Sequence, residues 1–249
     1  MEGYTMAKDT IKIEKKHVKM VAHRGMSGLE RENTNAAFVA AGNRSYFGIE
    51  TDIHKTADGK FVVIHDETTK RVSNGAVDVN VEEVSYDVLK DIVLPDLDGS
   101  TVRKDIRIPL LPEYIHICKK YGKVGVLELK NPFSREDLQR IAEIIKEQDY
   151  LDGIIFISFD WNNCVVMREI LPKQPIQWLT GDPVTEERLA ELVHHKLDLD
   201  IYYGALTAEV VVKLHENNVL INCFTCDEKE AAEKLIEWGV DYITSNILE

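Results

Sequence analysis

The sequence predicts an α/β fold in which eight parallel strands close into a (β/α)8 barrel, and three observations predict it. Short apolar runs alternate with amphipathic helical patterns along the whole chain. Runs such as residues 153–158 are apolar on both faces, which is typical of parallel strands covered on both sides. Eight such strands in 249 residues match a closed barrel better than an open sheet, so we expect one barrel domain over residues 1–249.

The predicted strands and helices alternate in the order that repeated βα units require. The strands are expected at residues 18–23, 48–53, 124–129, 153–158, 175–179, 198–203, 219–224 and 240–244. The helices are expected at about residues 33–43, 111–121, 134–148, 161–170, 185–195, 207–217 and 228–238. Residue types that cap helix N-termini precede four of these helices, namely Ser134, Thr185, Thr207 and Asp227.

Two irregularities interrupt this alternation. A tight turn at residues 57–60 leads into an extra strand at 61–65, so we expect a β-hairpin after the second barrel strand. Residues 66–109 are rich in turn-forming residues and are expected to form a small insertion with one helix at 81–90. The eighth strand lies so near the end of the sequence that no final barrel helix is expected. We expect residues 1–17 or a second subunit to cover its place.

Charge and composition exclude several classes of function. Lys and Arg number 30 against 43 Asp and Glu, and the net charge of −13 would repel nucleic acids and anionic membrane surfaces. No apolar run approaches the ~20 residues of a membrane span, and no signal peptide is evident. The four cysteines, including the CxxC pair Cys223 and Cys226, lack further zinc ligands and are interpreted as small buried side chains. A reduced, cytoplasmic compartment is therefore expected.

Acidic side chains occupy the ends of two predicted strands, where the active sites of such barrels lie. Because side chains alternate along a strand, Glu50 and Asp52 point to one face, as do Glu128 and Lys130. Three buried carboxylates at one barrel mouth would raise one another's pKa, and a divalent cation would resolve this conflict. Oxygen ligands without cysteine favour a hard ion, Mg²⁺ or Ca²⁺, with Mn²⁺ as a further candidate. Singly, each acid could instead form a structural ion pair, for example Glu128 with Lys130.

Basic and histidine side chains lie at the same predicted strand ends. His23 and Arg24 follow the first strand, and His65 ends the hairpin strand. Each has a structural interpretation on its own, such as a hydrogen-bonded core histidine or an arginine that braces a loop. Their convergence with the acids favours a catalytic site. His54 continues the face of Asp52 and is a weaker candidate for lining it.

The ordered set of motifs around these residues resembles the glycerophosphodiester phosphodiesterase family over most of the barrel. The motifs are His23-Arg24-Gly25, Glu32-Asn33-Thr34, Glu50-Thr51-Asp52, His65-Asp66 and Glu128-Leu129-Lys130. The resemblance implies a barrel with a small insertion where residues 66–109 fall. It also implies metal-dependent hydrolysis of glycerophosphodiesters to glycerol 3-phosphate and an alcohol, with a cyclic phosphate as the expected intermediate.

Carried over to the matching positions, the resemblance implies three groups of site residues. The implied ligands of one divalent cation are Glu50, Asp52 and Glu128. The implied acid–base pair is His23 and His65, with His23 as the expected base and His65 as the expected acid. The implied phosphate-binding residues are Arg24 and Lys130.

The sequence departs from the family pattern around strands seven and eight. Phe224 stands where the family usually has tryptophan, and Asp227 where it usually has asparagine. After Thr244 the chain reads Ser-Asn-Ile, whereas the family usually continues Asp-x-Pro. We expect these departures to change the alcohol-side pocket, in which Phe224 would bind substrate, and to leave the phosphate chemistry intact.

Two alternative functions remain open at this point. A lysophospholipase D-type phosphodiesterase would need an exposed apolar ramp, which residues 66–109 do not show. A non-catalytic barrel that binds a phosphate ligand would need neither histidine. A nucleic-acid phosphodiesterase conflicts with the net charge of −13. The expected partner is therefore a small water-soluble glycerophosphodiester of lipid and glycerol metabolism, without nucleic acid or stable membrane association, and a homo-oligomer is left open.

Overall fold

The barrel is formed by eight parallel strands in a computed structural model, which describes residues 9–249. The nine strands of the sheet are β1 (Lys19–Ala22), β2 (Gly48–Lys55), β3 (Phe61–Val63), β4 (Val124–Leu129), β5 (Ile154–Ser158), β6 (Ile176–Thr180), β7 (Asp198–Tyr202), β8 (Ile221–Phe224) and β9 (Tyr242–Ser245). The barrel closes because β1 pairs in parallel with both β2 and β9. The predicted barrel is confirmed, and β3 is the antiparallel partner of β2 that the hairpin signal predicted.

The helices surround this barrel as the alternation predicted. They are α1 (Asn35–Gly42), α2 (Tyr86–Leu89), α3 (Leu111–Tyr121), α4 (Arg135–Glu147), α5 (Trp161–Ile170), α6 (Glu186–His195), α7 (Ala208–Glu216) and α8 (Lys229–Trp238). Their apolar faces and the outward-facing strand residues form one continuous buried core. Within residues 9–249, no helix has both the length and the apolar composition needed to cross a bilayer.

Helix capping agrees with the sequence at three of the four predicted positions. The side chains of Ser134, Thr185 and Thr207 each accept a hydrogen bond from a backbone N–H in the first turn. The prediction for Asp227 is wrong, because Glu228 occupies the cap position of α8 without a side-chain hydrogen bond. The Asp227 carboxylate instead accepts hydrogen bonds from Ser245, the last residue of β9, and from Asn246, which follows it.

The insertion forms a small buried cluster of its own on the outer side of the β2–β3 hairpin. Nine buried apolar side chains make up this cluster: Val62 and Ile64 come from the hairpin, and the other seven, including Val72, Val81 and Ile106, come from the insertion. The single helix predicted at 81–90 is wrong in detail, because the segment divides into a 3₁₀ turn at Val81–Glu83 and the short α2. Here the turn-forming residues override a continuous helical pattern.

Two ion pairs fasten the insertion to the loop after β1. Arg71 donates to both carboxylate oxygens of Glu32, at 2.7 and 2.9 Å, and Arg103 donates to Glu30 at 2.7 Å. The loop after β1 and the start of the insertion therefore form one wall at the carboxyl end of the barrel.

The interior of the barrel is apolar near the amino ends of the strands and polar above. Val21, Val126 and Tyr242 belong to the lower apolar cluster. Above it, Asn222 Nδ2 donates to Asp200 Oδ2 at 3.1 Å. Thr244 Oγ1 donates to Asn222 Oδ1 at 3.2 Å. The carboxyl end of the barrel thus rests on side chains that bond to one another.

The segment before β1 runs beside the residues that follow β9. Ile11 and Leu248 form a parallel bridge, and Leu248 is fully buried. The amide of Ile13 donates to the carbonyl oxygen of Glu249 at 3.0 Å. Part of the segment expected to take the place of a final helix therefore lies at this position, whereas residues 1–8 fall outside the described residues. Coverage by a second subunit stays a prediction.

Candidate active site at the carboxyl end of the barrel

One cavity of about 220 Å³ opens at the carboxyl ends of the barrel strands. Its lining includes His23, Arg24, Glu50, His65, Glu128 and Phe224. The structure thus brings six of the eight predicted site residues to the lining of one cavity. The other two, Asp52 and Lys130, lie directly behind this lining, with Lys130 Nζ 3.6 Å from Asp52 Oδ1. His54 does not line the cavity: it is buried beneath, and its Nε2 donates to the backbone carbonyl of His65 at 3.0 Å.

The loop after β1 places Arg24 and supports Glu50. The backbone N–H of Arg24 donates to Glu50 Oε2 at 2.7 Å, and Gly25 N–H donates to the carbonyl of Glu50 at 3.1 Å. Both Arg24 and Gly25 have positive φ angles, 51° and 76°. A Cβ at Gly25 would lie 2.7 Å from the Cβ of Ala37, so this turn requires glycine.

Three carboxylates form a compact group inside the barrel mouth. Glu50, Asp52 and Glu128 each offer one oxygen, and these oxygens lie within 4.8 Å of one another. Asp52 Oδ2 accepts a hydrogen bond from Asn33 Nδ2 at 2.7 Å, whereas Asp52 Oδ1 is buried without a hydrogen-bond partner. A buried oxygen left without a donor is costly, and a bound cation would satisfy it. The donor set therefore fits a hard divalent cation.

The pKa values of the three carboxyl groups do not all shift in the same direction. Burial, together with the charges of Asp52 and Glu128, raises the pKa of Glu50 well above its usual value. Burial and the charge of Asp52 likewise raise the pKa of Glu128 to about 8. Burial also acts to raise the pKa of Asp52, but Arg24 and Lys130 outweigh it and hold that pKa below its usual value. The expectation that all three values rise is therefore wrong for Asp52, because two cations face it.

Two cationic side chains face this carboxylate group from opposite sides. Lys130 Nζ donates to Glu128 Oε1 at 2.8 Å. Arg24 Nε lies 3.7 Å from Asp52 Oδ2, and its Nη1 donates to Glu32 Oε1 at 2.8 Å. Arg24 Nε is itself buried without a hydrogen-bond partner. Because Arg24 also lines the cavity, its positive charge lies close to any anionic group that enters.

His65 is backed by a charged network. Its Nδ1 lies 2.7 Å from Asp66 Oδ1, and Arg71 donates to both oxygens of Asp66, at 2.7 and 2.9 Å. The hydrogen bonds from Arg71, with a smaller one from His65, lower the pKa of Asp66 to about 2 despite partial burial. Asp66 belongs to the His65-Asp66 motif, but sequence reasoning assigned no role to it or to Arg71. The adjacency of His65 and Asp66 is the signal that could have found them.

His23 is backed by a neutral amide instead. Its Nδ1 lies 2.8 Å from Asn246 Oδ1, and its Nε2 lies 3.9 Å from Glu50 Oε2. Burial, reinforced by the charge of Arg24, lowers the pKa of His23 to about 4. At neutral pH the ring is therefore uncharged. Sequence reasoning did not single out Asn246, since 223 positions separate it from His23.

Aromatic side chains form the wall opposite the histidines. The rings of Phe159 and Phe224 meet edge to face, with centroids 5.8 Å apart, and Phe159 is 49% exposed. Phe224 lines the cavity, and its role in substrate binding stays a prediction. The other two departures from the family pattern do not change this wall: Asp227 and Asn246 bond to each other behind His23. The effect of the departures on the alcohol-side pocket stays a prediction.

Known proteins share both the sequence pattern and the fold of this chain. Residues 23–248 match the model of the glycerophosphoryl diester phosphodiesterase family. A glycerophosphodiester phosphodiesterase of Bacillus altitudinis is 30% identical over 234 residues, which cover 90% of this chain and 93% of that protein. A human lysophospholipase D is 42% identical over 101 residues, which cover 38% of this chain and 31% of that protein.

Among solved structures, a phosphodiesterase of Oleispira antarctica in complex with the product sn-glycerol-3-phosphate superposes with a TM-score of 0.83. It is 24% identical, and the match covers 92% of this chain and 93% of that one. These comparisons confirm the predicted family resemblance and the prediction that the chain is an enzyme, and they contradict the alternative of a non-catalytic barrel. The chain belongs to the glycerophosphoryl diester phosphodiesterase family.

Proposed function

We propose that this enzyme hydrolyses glycerophosphodiesters to glycerol 3-phosphate and an alcohol, using one divalent cation bound by Glu50, Asp52 and Glu128. The observation that carries the proposal is the group of three carboxylates at the barrel mouth, with Arg24 and Lys130 against it and both histidines lining the same cavity. The product bound to the relative from Oleispira antarctica, sn-glycerol-3-phosphate, supports the glycerol end of the substrate. The assay below tests which of Mg²⁺, Ca²⁺ and Mn²⁺ the enzyme prefers.

The bound cation would act as a Lewis acid that stabilises negative charge on the phosphoryl oxygens and orients the neighbouring hydroxyl. Around it, the residues of this chain divide the remaining work. Arg24 and Lys130 neutralise the charge that develops as phosphorus becomes five-coordinate. Glu128 holds Lys130 in place, and Glu32 holds Arg24. Neither of these two side chains therefore needs to reorganise when the substrate binds.

The two histidines divide the proton transfers. His23 accepts the proton of the glycerol hydroxyl that attacks phosphorus, and His65 donates a proton to the departing alcohol oxygen. A cyclic phosphate forms, and water opens it with the two roles exchanged. The backing groups support this order, because the carboxylate of Asp66 stabilises an imidazolium at His65. The amide of Asn246 adds no such charge at His23.

A lysophospholipase D-type activity is the second candidate. The exposed ring of Phe159 beside Phe224 offers an apolar wall next to the alcohol side of the cavity. The partial identity to a human lysophospholipase D points the same way. Cytoplasmic location, the absence of nucleic-acid and stable membrane partners, and the state of assembly stay predictions.

A coupled assay for glycerol 3-phosphate release tests the proposal. Glycerophosphodiesters with different head groups, and a lysophospholipid, are supplied to the metal-depleted enzyme with Mg²⁺, Ca²⁺, Mn²⁺ or a chelator. We expect metal-dependent release that is lost in His65→Ala. Cleavage of only the lysolipid, detected by mass spectrometry as lysophosphatidic acid because the coupled assay does not register that product, would favour the second candidate. No release from folded enzyme with any metal would contradict both.

A further inference from the structure

The two residues behind His23 form a hydrogen-bonded chain that the proposed mechanism has not yet used. Asn246 follows β9 directly, and its Oδ1 lies 2.8 Å from His23 Nδ1. On the other side, Asn246 Nδ2 donates to Asp227 Oδ2 at 2.6 Å. These hydrogen bonds therefore connect the imidazole of His23, through the amide of Asn246, to the carboxylate of Asp227.

The backbone holds Asn246 in this place from both sides. Asn246 N–H donates to Asp227 Oδ1 at 2.7 Å, and Ser245 Oγ donates to the same oxygen at 2.8 Å. The carbonyl of Asn246 accepts from Gly28 N–H at 2.9 Å. A Cβ at Gly28 would lie 2.6 Å from that carbonyl oxygen, so the loop after β1 can approach only with glycine. The position of the amide is thus set independently of the His23 ring.

The orientation of the amide follows from the chemistry of Asp227. An ionised carboxylate only accepts hydrogen bonds, so the NH₂ group of Asn246 must face Asp227 and its oxygen must face His23. An amide oxygen carries no proton, so His23 Nδ1 must be the donor. A neutral imidazole has one N–H, and when that proton is on Nδ1 the other nitrogen has a free lone pair. For His23 this nitrogen is Nε2, and His23 lines the cavity that a substrate would enter.

We propose that Asn246, oriented by Asp227, is a positioning residue that keeps the His23 proton on Nδ1 and so leaves Nε2 free to accept a proton from the substrate. This inference rests on the proposed function only for its kinetic consequence, because the tautomer is a property of the enzyme without substrate. Both residues belong to segments that depart from the family's usual pattern.

The tautomer of His23 is measured by long-range ¹H–¹⁵N spectra of histidine-labelled, metal-loaded enzyme, with the His23 signals assigned by their loss in His23→Gln. We expect the wild-type ring to carry its proton on Nδ1. In Asn246→Ala the ring loses its acceptor, and we expect a mixture of tautomers. The same variant should lose about 10- to 100-fold in kcat, part of the 10²–10⁴ that a general base contributes, with KM changed less than about threefold.

Asp227→Asn is the second variant, since it keeps the side-chain volume but lets both amides rotate. We expect a partial mixture of tautomers and a smaller loss of kcat. Ser27→Ala is the matched control: it removes another contact of Asn246 Oδ1, 2.5 Å away, and leaves Asp227 in place. We expect this control to keep the wild-type tautomer.

The outcomes separate the two proposals. An unchanged His23 tautomer in folded Asn246→Ala and Asp227→Asn would overturn the positioning role, whatever the activity. A wild-type spectrum with the proton on Nε2 would overturn it as well. Absence of glycerol 3-phosphate release from wild-type enzyme would contradict the proposed function, while the shift of tautomer in the variants would still support the role of Asn246. If Asn246→Ala fails to fold, Asp227→Asn alone decides.

Discussion

Asp66 Oδ1 lies 2.7 Å from Nδ1 of His65, so the proposed acid is paired with a carboxylate, whereas the proposed base has only an amide behind it. Both contacts favour the protonated ring, and the carboxylate adds a negative charge that the amide lacks, but burial outweighs them and lowers the pKa of both histidines. The two histidines thus differ in the charge of the group that contacts Nδ1, which is the difference on which the proposed assignment of acid and base rests. The two imidazole rings are chemically identical, and the group that contacts Nδ1 of each ring makes their surroundings different.

Replacement of that carboxylate should therefore affect the acid more than substrate binding. In Asp66→Asn we expect kcat to fall by about 10-fold or more, with a smaller change in KM, because proton donation to the leaving alcohol weakens. Substrates with a good leaving group, such as a p-nitrophenyl ester of glycerol phosphate, should be affected less. Asp78→Asn, at an exposed pair with Lys70, is the control. Equal losses for poor and good leaving groups would speak against His65 as the acid.

Removal of the proposed base should leave the metal site intact. We expect His23→Ala to fold, to bind metal as the wild type does, and to lose about 10²–10⁴ in rate. Steady-state kinetics and calorimetric titration with Mn²⁺ measure the two properties separately. A variant that keeps more than about a tenth of the wild-type rate would exclude His23 from this role.

Loss of a ligand carboxylate should weaken metal binding first. For Glu50→Gln and Asp52→Asn, we expect a higher Kd for the cation, and excess metal should recover part of the rate. Titration of metal-depleted enzyme without substrate measures binding apart from catalysis. Glu82→Gln, which contacts His54 outside the carboxylate group, is the matched control. Wild-type metal affinity in both ligand variants would mean that these acids are structural.

Glu32 links Arg24, the proposed phosphate-binding arginine, to the insertion, and the contribution of Glu32 to stability should depend on pH. Burial opposes ionisation, but hydrogen bonds from Arg71 and the charge of Arg24 lower the pKa of Glu32 from 4.5 to about 2. Because the folded value is the lower one, the stabilisation is complete above about pH 4.5 and is lost as the pH falls towards 2. Glu32→Gln should therefore lower the free energy of unfolding by about 1–3 kcal/mol near neutral pH.

Urea unfolding of wild type and Glu32→Gln between about pH 6 and about pH 3 measures this dependence. The difference between the two proteins should shrink as the pH falls. Glu143→Gln, at an exposed pair with Arg140, should show little difference at any pH. A difference for Glu32→Gln that is constant over this range would show that its ionisation does not contribute.

Local pattern was sufficient for much of the fold and for the chemical type of the site. Side-chain alternation placed Glu50 and Asp52 on one face, and both point into the barrel mouth. Apolar periodicity located the barrel strands to within one or two residues of their observed ends. The capping prediction failed at Asp227, because a carboxylate near a helix start has two competing partners and local sequence shows only one of them.

By itself, then, the sequence determined the alternation of strands and helices, the family, and the set of acids, cations and histidines at the strand ends. Tertiary structure alone decided which groups stand behind the two histidines. His23 meets Asn246 only because β1 pairs with β9, a contact across 223 positions. His65 gains its charged network only where the insertion docks on Glu32. The reason is physical: periodicity reports which side of an element a residue faces, whereas barrel closure decides what it faces there.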